Sequence, residues 1–284
     1  MQSFDYNSTY FDGKMSDWTS ISIGEISSRL LTTFKGQAFP RNGIALDYGC
    51  GSGPYFPFLK QSSLDVVGVD ISPEAVKQAG TKPYKAVRLL EQGKAPLPDC
   101  SAAIVFSTEV LEHIEDAEGA IHEFHRLLKD GGLLILTTTM YFSSINVYLA
   151  TAIQEKHSLS KIARELLHYV LGFFSSERQQ KFVRQWCFQP LGGHFHGFRP
   201  RNLKKMISNA GFQITEMRPL YIFEPIGFCR FSTVKSVNES FRFPKNVPVM
   251  AVVLGISTAN FLLKTLRIGA NNTYLVAKKL PCVA

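Results

Sequence analysis

The chain has 284 residues, enough to bury a real core as one elaborated domain or one domain with a small cap. Its apolar fraction of 45% excludes a disordered chain. A formal net charge of +8 admits an anionic partner, whether nucleic acid, an acidic membrane surface or a phosphorylated or carboxylated substrate; the 31 basic residues are scattered, however, which solubility alone also explains.

From the start, Met1-Gln2-Ser3-Phe4-Asp5 lacks the basic and apolar regions of a signal peptide, so a cytoplasmic location is expected. Ile44 to Tyr48 reads as a first strand ending at a glycine cluster, and Asp65 to Asp70 as a second. Ser72-Pro73-Glu74 then caps a helix, with proline in its first turn. A third strand is expected over Tyr84 to Leu90, a fourth over Ala102 to Phe106, and a long amphipathic helix over Val110 to Leu128. Asp130-Gly131-Gly132 turns the chain into a fifth strand from Leu133 to Thr137.

Near-continuous apolar strands separated by helices predict a parallel sheet covered on both faces, and right-handed crossovers make it a doubly wound α/β fold. Its ligand crevice is expected at the C-terminal ends of the strands.

After Met140 the rhythm becomes helical and aromatic, which predicts an inserted helical cap over residues 143–189. The core is then residues 1–142 and 190–284. Pro200 to Ala210 reads as a sheet-packing helix ended by Gly211; a sixth strand follows at Phe212 to Thr215 and a seventh at Thr273 to Ala277. Between these two lies the longest apolar run, Val247 to Leu263. It holds Ser257, Thr258 and Asn260 and falls short of the roughly 20 apolar residues that span a bilayer. A buried or interfacial helix is expected there, leaving peripheral membrane contact open but not transmembrane insertion. The five cysteines form no CxxC pair, which indicates neither a disulfide framework nor a thiolate zinc site.

Asp47-Tyr48-Gly49-Cys50-Gly51-Ser52-Gly53 follows the first strand directly. Glycines here let the backbone approach a ligand closely and turn sharply. Asp47 is placed to accept hydrogen bonds from a ligand ammonium. Asp70, closing the second strand, is placed to grip ribose hydroxyls, and Glu91, closing the third, to reach a base edge. A dinucleotide site requires Gly-x-Gly-x-x-Gly, but Pro54 stands where the third glycine belongs.

The segment Asp47 to Gly53 resembles motif I of class I S-adenosylmethionine-dependent methyltransferases. Val67 to Ser72 is similar to their ribose-binding segment, and Ala95-Pro96-Leu97-Pro98-Asp99 with the strand Ala102 to Phe106 resembles their Leu-Pro-Phe-Pro-Asp region. Glu109 to Ile114 and Leu127 to Gly132 continue the likeness, which covers Ala45 to Leu136 in register. The resemblance implies a Rossmann-like, seven-stranded, mostly parallel sheet. Asp47, Gly49, Cys50, Gly51 and Gly53 would hold the methionine part of S-adenosylmethionine. Asp70 would bind the ribose, Ile71 would pack on adenine, Glu91 would reach the adenine end, and Ser107 and Thr108 would line the methyl-transfer site. The motif profile is that of ubiquinone-type O-methyltransferases, which implies transfer to oxygen of a small-molecule acceptor. An RNA methyltransferase, and an inactive cofactor-binding scaffold, are the rival readings. No RNA-binding module accompanies the basic charge, and neither the glycine loop nor the ribose acid is spoiled.

Three histidines are candidates for the base that a hydroxyl acceptor needs: His113, His194 and His196. Glu109, Glu112 and His113 occupy i, i+3 and i+4 of the expected helix start. They therefore share a face and, with His196 or His194, form a candidate set for Mg²⁺ or Mn²⁺. The ordinary explanation is two acids favouring a helix N-terminus and a histidine packed on the sheet. The aromatic residues of the cap, among them Tyr141, Tyr148, Tyr169, Phe174 and Trp186, suit either a pocket for an aromatic or lipid-like acceptor or plain core packing. Oligomeric state leaves no mark in the sequence.

Overall fold

The computed structural model describes residues 16–83, 85–89, 93–188, 193–220 and 272–281. The apolar run at 247–263 and Glu91 lie outside them. Helix α1 (Ser16–Gly36) leads into strand β1 (Ile44–Tyr48), the short helix α2 (Phe56–Leu59), β2 (Asp65–Asp70), α3 (Pro73–Ala79) and β3 (Lys85–Arg88). Then come β4 (Ala102–Thr108), α4 (Ala117–Leu127) and β5 (Leu128–Thr139). Three helices follow, α5 (Ser144–Gln154), α6 (Leu159–Gly172) and α7 (Ser176–Trp186), before α8 (Pro200–Asn209), β6 (Phe212–Leu220) and β7 (Asn272–Lys279).

The seven strands form one sheet in the order β3-β2-β1-β4-β5-β7-β6. The pairs β1–β2, β1–β4, β2–β3 and β4–β5 are parallel, as expected for a doubly wound Rossmann-like fold. Strand order reverses between β1 and β4, and that reversal opens a crevice at the C-terminal strand ends. β1 and β4 are central strands, so burial on both faces selects apolar side chains throughout Ala45–Leu46 and Ala102–Phe106.

Strand β6 runs on to Leu220, beyond the expected end at Thr215, and two further elements depart from the sequence expectation for identifiable reasons. The amphipathic helix starts at Ala117, not Val110, because Asp116 caps it by accepting the Gly119 N–H at 2.8 Å. Upstream, Leu111–His113 is a single 3₁₀ turn, and Glu109 sits at φ +54°, which no helix start tolerates. The fifth strand begins directly at Leu128, and the expected Asp130–Gly132 turn is instead a bulge within it: Ala102 faces Leu128 while Ile104 faces Leu133. Lys279, almost fully buried, fixes that excursion by donating to the Leu128 carbonyl at 2.9 Å and pairing with Asp130 at 3.5 Å.

The chain divides into two compact units: Met1–Thr138 with Pro200–Arg218 and Tyr274–Ala284, and Thr139–Arg199 with Pro219–Thr273. In the first, Arg126 of α4 pairs with buried Glu123 at 2.7 Å and donates to the Leu97 and Ala95 carbonyls at 3.0 and 3.3 Å. Glu123 in turn accepts the Ala95 N–H at 2.9 Å. The proline-containing segment 95–99, short of its own backbone donors, is thereby held to the helix.

In the second unit, Tyr141, Tyr148, Tyr169, Phe182 and Trp186 form one buried cluster with Ile145, Leu149 and Ile162. Core packing accounts for these aromatic residues. Phe173, partly exposed, packs its ring edge-on against Tyr141 and Tyr169 at 5.0 and 5.2 Å, and Phe174 is largely exposed.

Candidate functional site

The glycine loop leaves β1 by a backbone that only glycine adopts without strain. Gly49, Gly51 and Gly53 have φ of +77°, +52° and +77°. A Cβ on Gly49 would collide with the Val110 side chain, so the loop is also too tightly packed for any side chain there. The Gly49 and Cys50 N–H groups donate to the Val69 carbonyl at 2.8 and 3.0 Å, tying the loop to the end of β2. Cys50 is buried, and Ser72 caps α3 as expected by accepting the Ala75 N–H.

Asp70 ends β2 as a buried carboxylate spread across two backbone donors. Oδ2 accepts the Gly51 N–H and Oδ1 the Ser72 N–H, both at 2.9 Å. One acid therefore orders the glycine loop and the α3 cap together. Burial raises its pKa, and these backbone hydrogen bonds oppose the rise. Ile71, the next residue, is 55% exposed, unusual for isoleucine beside a buried strand end.

Asp47 is 2% exposed, and its Oδ2 has no hydrogen-bond partner among the described residues. Burial, and then the neighbouring Asp70 charge, push its pKa up to about 8. At the end of the adjacent strand β4, Ser107 Oγ and Thr108 Oγ1 are likewise buried without partners among the described residues. Native interiors rarely leave such atoms unsatisfied. Here three of them gather at the C-terminal ends of two neighbouring strands, where β1 and β4 pair in register at Asp47 and Phe106.

Glu109 and Glu112 approach the same strand ends from the following loop. Thr137 donates its hydroxyl to Glu109 at 2.8 Å, and Thr138 donates to fully buried Glu112 at 2.7 Å. Their shared helical face is not realised, since Glu109 precedes the 3₁₀ turn that holds Glu112 and His113. His113 is half-buried in that turn. His194 and His196 are buried residues of the second unit, with the His196 ring stacked on Phe198 at 5.3 Å.

Sequence reasoning passed over Tyr55. Its ring packs edge-on against Phe106 at 5.1 Å, and burial raises its hydroxyl pKa, reinforced by the carboxylates of Glu109 and Asp47. An aromatic residue two positions beyond the last glycine was the available signal. The strand ends therefore collect Asp47, Asp70, Glu109 and Glu112 on a chain whose overall charge is positive.

Comparison with known proteins places the chain in a family. The sequence model of a methyltransferase domain matches residues 22–217. The 27-O-demethylrifamycin SV methyltransferase of Amycolatopsis mediterranei (strain S699) is 31% identical over 129 residues, 42% of this chain and 47% of that protein. A ubiquinone biosynthesis O-methyltransferase of Aliivibrio fischeri (strain MJ11) is 27% identical over 177 residues, 59% of this chain and 63% of that one. In each case the match spans less than two thirds of the relative's length. Among solved structures, an S-adenosylmethionine-dependent methyltransferase from Mesorhizobium loti superposes with a TM-score of 0.53 at 13% identity, covering 90% of this chain and 99% of that one. The [4+2]-cyclase SpnF does so at 0.51 and 15% identity, covering 94% of each chain. These likenesses show the fold, and the cyclase shows that the fold alone does not fix the reaction.

Proposed function

Because this chain belongs to the S-adenosylmethionine-dependent methyltransferases, we propose that it transfers a methyl group to a hydroxyl oxygen of a small, aromatic or lipid-like acceptor. The observation that carries the cofactor assignment is the trio of unpartnered buried polar atoms, Asp47 Oδ2, Ser107 Oγ and Thr108 Oγ1, beside a glycine loop that admits no side chain. S-adenosylmethionine is cationic at its ammonium and sulfonium, and an acidic crevice suits it. Asp47 would accept from the ammonium, the loop Gly49 to Gly53 would cradle the methionine part, and Asp70 would accept from the ribose. The exposed face of Ile71 would cover one side of the adenine. When bound, the cofactor supplies a methyl group already activated for in-line transfer.

What remains for the protein is to place the acceptor, keep water out and remove one proton. Ser107 and Thr108 would line the transfer position. His113, His194 and His196 are the proposed bases, on the strength of imidazole chemistry near neutral pH. A Mg²⁺ set of Glu109, Glu112, His113 and His196 is the competing way to deprotonate a hydroxyl. It rests on donor chemistry and on the 3₁₀ turn, which holds the ligand atoms of Glu112 and His113 within 4.8 Å of each other; the helical face that first suggested it is absent, and both acids also accept threonine hydroxyls. Transfer to oxygen is supported by two relatives, one named an O-methyltransferase and one named for a 27-O-demethyl compound. Incubation with S-adenosylmethionine and a panel of phenols, catechols and aliphatic alcohols tests the reading. Acceptor-dependent S-adenosylhomocysteine with a product heavier by one methylene is expected. Methylation confined to amines or carbon acids would overturn the choice of oxygen.

A further inference from the structure

Helix α6 is apolar on two sides. One side, carrying Ile162, Tyr169 and Gly172, is buried against its own unit. The opposite side presents Leu159, Ala163, Leu167 and Val170 at spacings of four, four and three residues, and this line runs out at Phe174 in the turn before α7. Leu159, Leu167, Val170 and Phe174 are 42%, 57%, 50% and 82% exposed. A phenylalanine that open at a helix-hairpin tip gains nothing from folding, and a continuous exposed stripe marks an interaction surface. Cations flank it. Between Glu155 and Trp186 there are six basic residues against three acidic ones, and one of the acids, Glu165, is buried beneath the helix, accepting from the Trp186 indole at 3.1 Å. Arg164 borders the stripe on α6, and Arg178, Lys181 and Arg184 are exposed on α7.

We propose that this outer face of the α6–α7 hairpin docks on an anionic membrane surface. Leu167, Val170 and Phe174 would enter the headgroup–acyl boundary, and the flanking arginines and lysines would meet lipid phosphates. Charge selects this occupant. A second copy of the chain would bring two net-positive hairpins together, whereas an acidic bilayer complements them. The face is amphipathic in the plane of the surface and does not span it, in keeping with the finding that no described helix is long and apolar enough to cross a membrane. The inference is independent of the methyl acceptor.

Flotation of the full chain with phosphatidylcholine vesicles, with and without about one third phosphatidylglycerol, tests it. Binding to the anionic vesicles is expected. It should fall about ten-fold or more on phosphatidylcholine alone, and likewise between ~0.1 M and ~1 M salt, where the Debye length shrinks from about 10 to about 3 Å. The double variant Leu167→Asp/Phe174→Asp should lose at least ten-fold in partitioning while keeping the wild-type melting temperature and S-adenosylmethionine affinity. Arg178→Glu/Lys181→Glu should weaken binding to anionic vesicles only. Failure to float, or flotation unchanged in the double variant, overturns the proposal. So does a large loss of thermal stability in that variant without lipid, which would show the stripe to be covered by the chain itself. A concentration-dependent dimer abolished by the double variant would assign the face to a second copy instead.

Discussion

Asp47 makes the pH dependence of cofactor binding a readout of the site. In the unliganded protein its pKa is raised to about 8, from 3.8 for an ordinary aspartate. At pH 8 about half the molecules carry the ionised carboxylate, and at pH 6 about one in a hundred do. If the ligand ammonium requires the ionised form, affinity for S-adenosylmethionine falls about fifty-fold between those pH values, or about 2 kcal/mol. The folded, unliganded protein moves the other way. Between pH 4 and pH 8 it holds a proton that the unfolded chain has lost, so the stabilisation from Asp47 is full below pH 4 and declines as pH rises toward 8. Titration calorimetry from pH 6 to 8, with melting curves over the same range, measures both trends. Asp47→Asn should bind weakly and lose most of each dependence, leaving what Asp70, also raised, contributes. A wild-type affinity flat across this range, or a dependence undiminished in Asp47→Asn, would refute the assignment of Asp47 to the ammonium.

Gly49→Ala should cost about 2–4 kcal/mol, from the positive φ and the collision with the Val110 side chain, with partial recovery in Gly49→Ala/Val110→Ala; urea denaturation of both variants checks it. Arg126→Ala leaves the Glu123 carboxylate buried without its cation and should cost about 3 kcal/mol by the same measurement, and an unchanged midpoint would show that segment 95–99 is held otherwise. Exhaustive chelation should abolish turnover, and added Mg²⁺ restore it, if Glu109, Glu112, His113 and His196 hold a cation. Full turnover without metal leaves the histidines competing as the base.

The parts of the fold written in short-range patterns were readable in the sequence. β1 and β2 match their expected ends because each stops at a residue whose chemistry forces the stop, glycine at 49 and the serine–proline cap at 72 and 73. Asp47 and Asp70 were legible for the same reason, as acids at the ends of apolar strands. The start of α4 was not. Val110, Leu111 and Ile114 carry a helical period, yet a left-handed Glu109 and the competing cap at Asp116 decide the backbone, and neither shows in the periodicity. The Glu–Glu–His constellation inherited that error. Tyr55 and the Glu123–Arg126 clamp depend on residues tens of positions apart and needed the tertiary structure. The outward stripe of α6 was hidden for a different reason. Its apolar residues, counted together with the buried ones, look like an ordinary aromatic core until burial separates the two faces.

The central claim is that the acids and glycines at the ends of β1 and β2 bind S-adenosylmethionine, and calorimetric titration of wild type and Asp70→Ala tests it most directly. The account predicts one site per chain, no displacement by NAD, and a ten- to hundred-fold loss of affinity in a folded Asp70→Ala, corresponding to about 1.5–3 kcal/mol for a charged hydrogen-bond acceptor. Unchanged affinity in that variant, or competitive binding of NAD, would contradict it.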